Sequence, residues 1–218
     1  MGEPTSFGKG RYAVVRRLGE GGMAVVYLAT DKRRNIPVAI KVPLPGLLVH
    51  GKVIERFSQE AETHGRVIHP NVAVMLGTGI DLSADGTRVP FMVIEYVGGM
   101  TVDAIIRDPS QGGFGPMPPE VAGRILLVAL GALRVMHGNG VLHRDIKPAN
   151  VMVGWNTVGW KASRWDEGAV KLMDFGIARH TEATDRKTGT KVVMGTEGYI
   201  APEQFRNTKS VDHRADLY

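Results

Sequence analysis

The chain has 218 residues, 43% of them hydrophobic and 22% charged, with a formal net charge of +5. That is enough apolar sequence for one large core or two smaller ones, and the modest basic excess fits a polyanionic small ligand. No basic run or aromatic-interleaved basic stripe points to nucleic acid. The lack of cysteine excludes disulfides, thiolate metal sites and a cysteine nucleophile. No apolar run reads as a membrane span and MGEPTSFGKGRY has no signal-peptide core, so no membrane contact is expected within these residues.

In chain order, residues 1–10 are rich in Gly, Pro and Ser and read as a mobile lead-in. Three β-rich runs follow, Tyr12 to Val15, Ala24 to Leu28 and Pro37 to Val42, separated by turn residues as in an antiparallel meander. Residues 52–68 place Val53, Phe57, Ala61 and His64 at helical spacing. Two further strands are expected at Val72 to Met75 and Phe91 to Glu95. Gly98-Gly99 then breaks the pattern and divides the chain into 11–97 and 98–218.

Beyond that boundary a short helix is expected from Thr101 to Arg107, followed by a polar Gly/Pro-rich loop from Asp108 to Met117. The strongest helix signal runs from Pro118 to His137, with Val121, Ile125, Val128 and Met136 as its apolar stripe and Gly138 as its stop. Short strands are expected at Val151 to Val153 and Ala169 to Met173. The segment between them holds all three tryptophans, Trp155, Trp160 and Trp165.

The chemistry is concentrated in His143-Arg144-Asp145-Ile146-Lys147-Pro148-Ala149-Asn150. Pro148 keeps this stretch from forming ordinary helix, so a carboxylate, an ammonium and a carboxamide two and three residues apart can converge. Such a set can orient a hydroxyl, neutralise phosphoryl charge and ligate a hard metal ion. Taken alone it is more often a polar surface turn. The turn Leu18 to Tyr27 carries Gly19, Gly21 and Gly22, which let backbone amides approach phosphate oxygens, though a glycine-rich hairpin is more often only a hairpin. Lys41 ends Val38-Ala39-Ile40-Lys41, and Glu60 on the following helix could hold it as an ion pair. Asp174-Phe175-Gly176 adds a second carboxylate, and Ala201-Pro202-Glu203 closes the set.

In this order the five motifs resemble the protein-kinase signature. Their wording is similar to the bacterial branch of the eukaryotic-like, Hanks-type serine/threonine kinases, from about Arg11 to Tyr218. The resemblance implies an α+β, two-lobed protein-kinase fold: an antiparallel five-stranded sheet plus one helix, then a mainly helical, incomplete second lobe. ATP would lie between the lobes with Mg2+, and Ser/Thr hydroxyls of proteins would be the acceptors. Asp145 would be the catalytic base, Lys147 the phosphate-neutralising lysine, Lys41 and Glu60 the phosphate-holding pair, and Asn150 and Asp174 the metal ligands. Val26, Ala39 and Met152 would sandwich the adenine, Glu95 to Val97 would bond its edge, and Ile94 would be the gatekeeper.

Ala24 departs from the pattern at the third glycine position. Arg144 before the base implies control by phosphate on the segment Asp174 to Glu203, with Thr188 and Thr190, eight and six residues before Thr196, as autophosphorylation sites. Thr181 and Thr184 lie in the same segment. The tryptophan-bearing insertion from Gly154 to Gly168 is either a docking surface or local packing. Asp216-Leu217-Tyr218 resembles the start of a long central helix whose aspartate holds the His143-Arg144 backbone. A chain stopping there would leave apolar faces of the Pro118 to His137 helix uncovered, as in a fragment of a longer protein or a chain of impaired stability. The resemblance implies a cytoplasmic location and, since many relatives continue into a membrane span, leaves open that this is the cytoplasmic part of a longer, membrane-anchored protein. The resemblance also allows a kinase dimer. The rivals are an ATP-binding but inactive or scaffolding kinase-like fragment, and a small-molecule kinase, which generally lacks the Ala201-Pro202-Glu203 closure.

Overall fold

Period-two alternation builds the first sheet. The computed structural model describes residues 3–48, 51–83, 85–107, 116–154, 169–174, 197–206 and 211–218. It divides into two units, Met1–Gly65 with Val74–Tyr96 and Arg66–Ala73 with Val97–Tyr218. In the first unit, β1 (Ser6–Phe7), β2 (Tyr12–Glu20), β3 (Ala24–Asp31), β4 (Ile36–Pro43), β5 (Met75–Leu82) and β6 (Arg88–Glu95) form one antiparallel sheet. Its order is β1-β2-β3-β4-β6-β5. Val25, Tyr27 and Ala29 of β3 and Val38, Ile40 and Val42 of β4 share a core cluster with Phe91 and Val93. The alternate residues Val26, Ala39 and Lys41 therefore fall on the other face.

Two expectations are corrected here. The sheet has six strands, not five, because the expected mobile lead-in contributes β1. Gly8, Lys9 and Gly10 adopt φ of 62°, 54° and 84°, turning the chain so that the backbone N–H groups of Gly8 and Lys9 donate to the Asp81 carboxylate at 2.7 and 3.4 Å. Phe7 then packs against Tyr27 and Phe91, with ring centroids 5.9 and 5.6 Å apart. Glycine-rich composition here encodes a tight turn rather than mobility.

The strand expected at Val72 to Met75 instead runs Met75–Leu82, while Val72 forms an isolated parallel bridge to Leu172. Gly77 and Gly79 hid this strand from propensity. At Gly79 the Phe91 ring occupies the place of a side chain: a Cβ built there would lie 2.3 Å from Phe91 Cζ. The helix α1 (Gly51–Gly65) ends at a glycine, three residues short of the expected end. It buries Phe57, Glu60 and His64 at helical spacing.

In the second unit, β7 (Gly99–Thr101), α2 (Val102–Arg107), α3 (Pro119–Gly138), β8 (Val151–Gly154), β9 (Val170–Leu172) and α4 (Pro202–Arg206) are described. The strands pair antiparallel in the order β7-β8-β9. Gly99 has φ 155°, and a Cβ there would meet the Val153 carbonyl oxygen at 1.9 Å, so only glycine permits this pairing.

The helix α3 buries Val121, Ile125, Ala129, Ala132, Leu133 and Met136 in one cluster with Val151, Val153, Val170 and Leu172. Its stop is Gly140 and not Gly138. With φ 70°, Gly140 donates to the His137 carbonyl at 3.0 Å while Val141 donates to that of Met136 at 2.9 Å, a Schellman closure with Met136 and Val141 in the same core. This closure turns the chain into the His143 loop.

The outer face of α3 carries Leu126, Leu127 and Leu130 at 61%, 71% and 45% exposure, so the expected uncovered apolar face is present. With a mean hydropathy of 1.5 in its most apolar window, α3 is long and apolar enough to cross a membrane by length and composition. That departs from the expectation of no such run, yet its other face packs into the unit's core. Trp155, Trp160 and Trp165, Phe175 and Gly176, and Thr181, Thr184, Thr188, Thr190 and Thr196 lie outside the described residues, as does the side chain of Val53.

Candidate active site

The loop after α3 folds around two buried anchors. His143 is fully buried, its Nε2 bonded to the Met173 carbonyl at 2.9 Å, so Nδ1 is the acceptor facing the Asp145 N–H at 3.4 Å. Burial pushes the His143 pKa below the usual histidine value, against the pull of Asp216, which keeps the ring neutral. Asp216 is the second anchor. One of its oxygens accepts from the Arg144 N–H at 2.5 Å, and the other accepts from the His143 N–H at 2.9 Å and lies 2.8 Å from His137 Nε2. It therefore holds the His143-Arg144 backbone from the end of a 3-10 turn, His213–Asp216.

Arg144 sits at φ 65°, a left-handed conformation uncommon for a residue with a Cβ. That turn aims the next side chain. The Asp145 carboxylate accepts from Asn150 Nδ2 at 2.7 Å and lies 3.2 Å from Lys147 Nζ; the same amide nitrogen donates to the Asp145 carbonyl at 2.8 Å. Ile146 packs against the unit's core between the two polar neighbours. Carboxylate, ammonium and carboxamide thus converge, and the Asn150 side-chain oxygen is left as an acceptor. The Met173 N–H donates to the Asn150 carbonyl at 2.9 Å, which brings the end of β9 beside this loop. Asp174 follows there, exposed and at φ 51°. Among the described residues no three His, Asp or Glu side chains form a metal cluster. The oxygens of Asn150 and Asp174 nonetheless suit a hard divalent ion that keeps several waters.

In the first unit, Lys41 Nζ and Glu60 Oε1 are 2.5 Å apart, with 13% and 5% of their side chains exposed. The strand β4 delivers Lys41 to the face opposite the core and α1 delivers Glu60. Gly19 pairs with Val26, and Val26 with Lys41. A Cβ on Gly19 meets nothing within 4 Å, and one on Gly21 meets only the Ala24 carbonyl at 3.9 Å; neither has left-handed φ. Internal packing does not require these glycines. Ala39 and Ile94 are buried neighbours across β4 and β6. Glu95 closes β6 and its carboxylate accepts from the Val74 N–H at 3.1 Å.

Val97 is buried and Met152 half-buried on β8, both in the second unit. The structure therefore brings together Asp145, Lys147 and Asn150 in one unit, and Lys41 and Glu60 in the other. Sequence reasoning missed His137, which reaches Asp216 from the last turn of α3, and Gln204.

The protein kinase domain family matches residues 12–218. The serine/threonine-protein kinase PknB of Mycobacterium leprae is 39% identical over 208 residues, covering 95% of this chain and 30% of that protein. PknB of Mycobacterium tuberculosis is 37% identical over 209 residues, with the same coverage of 95% and 30%. Among solved structures, the PknI kinase domain of Mycobacterium tuberculosis is similar with a TM-score of 0.66 at 29% identity, covering 100% of this chain and 74% of that one. The chain spans about 30% of the length of the curated relatives it matches.

Proposed function

The chain belongs to the protein kinase family, and on that premise we propose that it transfers the γ-phosphoryl group of ATP to serine or threonine hydroxyls of proteins. The observation that carries this reading is the Asp145 carboxylate held between Lys147 and Asn150 on the left-handed Arg144 backbone. Asp145 orients the acceptor hydroxyl and takes its proton. Lys147 neutralises charge on the transferred group, and Asn150 fixes Asp145 while offering its oxygen, with Asp174, to Mg2+. In the other unit Lys41, aligned by Glu60, binds phosphate oxygens, and the backbone at Gly19, Gly21 and Gly22 leaves room for them. Val26 and Ala39 of this unit supply apolar contact for the adenine, and the Glu95 backbone bonds its edge. ATP supplies the phosphoryl group and Mg2+ offsets its charge; everything else is positioning and electrostatics.

Arg144 supports a regulatory reading. Its Nε is buried with no hydrogen-bond partner among the described residues, and burial lowers its pKa against the opposing pull of Asp216. A buried guanidinium nitrogen without a partner suits a phosphate, here one on Thr188 or Thr190.

Intact mass before and after Mg2+ and ATP, beside Asp145→Asn, tests the reading. Phosphate gains in the wild type alone are expected. A wild type that gains no mass while ATP still raises its melting temperature would leave an ATP-binding, inactive chain.

A further inference from the structure

The helix α4 begins at Pro202 behind Ala201, which places Gln204 at its third position. A Gln or Glu there reaches back to cap the preceding N–H, and Gln204 does so: its Oε1 accepts from the Ala201 N–H at 2.9 Å. With the oxygen committed to the cap, the amide nitrogen is turned outward. It donates to the Arg144 carbonyl at 3.2 Å, sixty residues away in sequence. The side chain is 8% exposed.

Both backbone groups of Arg144 are therefore gripped. Asp216 holds its N–H and Gln204 its C=O. Arg144 is the residue in left-handed conformation, which costs on the order of 1 kcal/mol or more and persists only where its surroundings enforce it. The peptide plane between Arg144 and Asp145 carries that carbonyl, and its orientation sets the direction of the Asp145 side chain.

We infer that Gln204 is a positioning residue for phosphoryl transfer: its amide NH2 fixes the Arg144–Asp145 peptide plane and so ties the aim of the Asp145 carboxylate to the folded state of the Ala201–Gln204 turn. This rests on reading Asp145 as the base. The chemistry of the site makes the inference sharp, because glutamate would serve the cap as well as glutamine but has no proton to give the carbonyl. A residue needed only for the helix start tolerates Gln204→Glu; a residue needed for the peptide plane does not.

The test compares wild type, Gln204→Glu and Gln204→Met as full chains, with Mg2+, ATP and casein as a generic acceptor. Both variants are expected to lose roughly tenfold to a hundredfold in kcat, the cost of slight misplacement at a reacting centre, with KM for ATP within about twofold of wild type. Amide hydrogen exchange provides the second readout. Faster exchange at Arg144 and Asp145 is expected in both variants, and faster exchange at Ala201 in Gln204→Met alone. Wild-type kcat and wild-type exchange at Arg144 and Asp145 in Gln204→Glu would overturn the inference. A wild type without transfer would overturn the proposed function, and the exchange at Arg144 and Asp145 would then decide the link by itself.

Discussion

Asp216 accepts the backbone N–H of Arg144 at 2.5 Å across 72 residues of sequence. It also accepts the N–H of His143 and bonds the His137 ring, so one buried carboxylate organises the start of the loop and the end of α3. We predict that Asp216→Ala leaves the His143 and Arg144 N–H groups without this acceptor and costs about 2–6 kcal/mol, from about 1–3 kcal/mol per orphaned group. Urea unfolding measures it; a loss under 1 kcal/mol would mean that water or the loop itself replaces the contact.

The Lys41–Glu60 pair is nearly shielded from solvent. Removing one partner takes a close opposite charge from the other in a largely buried site, so Lys41→Met and Glu60→Gln are each expected to destabilise the protein by about 3–5 kcal/mol. The double substitution should cost less than the sum, because the two side chains are in direct contact. Lys41→Met should also abolish the rise in melting temperature with ATP. Simple additivity in the double-mutant cycle would show that the pair is not coupled.

Arg11 grips Asp31 through two bonds of 2.9 and 2.7 Å. The guanidinium holds the Asp31 carboxyl down at about 2, below the ordinary value of about 3.9. A depressed acid contributes its full stabilisation above its unfolded pKa and loses it as pH falls through the folded one. Stability should therefore drop between about pH 4 and pH 2, and Asp31→Asn should flatten that part of the profile. Parallel acid profiles for the two proteins would remove Asp31 as a cause.

The two faces of α3 should respond differently to truncation. Leu133 is 3% exposed in the core and Leu127 is 71% exposed. Leu133→Ala is expected to cost about 2–5 kcal/mol, whereas Leu127→Ala should stay within about 0.5 kcal/mol. Equal losses at the two positions would mean that the outer face is covered in solution.

Phe7 and Asp81 together tie the short strand Ser6–Phe7 and the turn after it to the sheet. Phe7→Ala empties the aromatic contact with Tyr27 and Phe91 and should cost about 3–5 kcal/mol. Asp81→Ala should raise amide exchange at Gly8 and Lys9. An unchanged melting temperature for Phe7→Ala would show that β1 contributes nothing to the sheet.

Much of the fold was legible because local rules carried it. The β-rich composition of Ala24 to Leu28 and Pro37 to Val42 marked two strands of the first sheet, and the apolar stripe of α3 identified the core of the second unit. Pro148, which keeps the loop out of ordinary helix, and the short offsets between Asp145, Lys147 and Asn150 made their convergence readable, since groups within five residues cannot be far apart in a turn. The strands that were missed or misplaced, β1 and β5, both involve glycine. Gly79 stands where a ring from Phe91 takes the side chain's room, and Gly140, not Gly138, provides the left-handed residue that ends the helix.

The sequence by itself determined which chemistry is present: a carboxylate, an ammonium and a carboxamide on one short loop, and a lysine and a glutamate on neighbouring elements. Only the tertiary structure decided which distant groups hold that chemistry in place. Asp216 was expected at the loop from family resemblance, but His137, Gln204 and Asp81 carry no local signature of their partners. A carboxylate or amide bonds whichever donor or acceptor the chain path brings within about 3 Å, and that path is set by core packing over sixty or more residues, not by the spacing of neighbours.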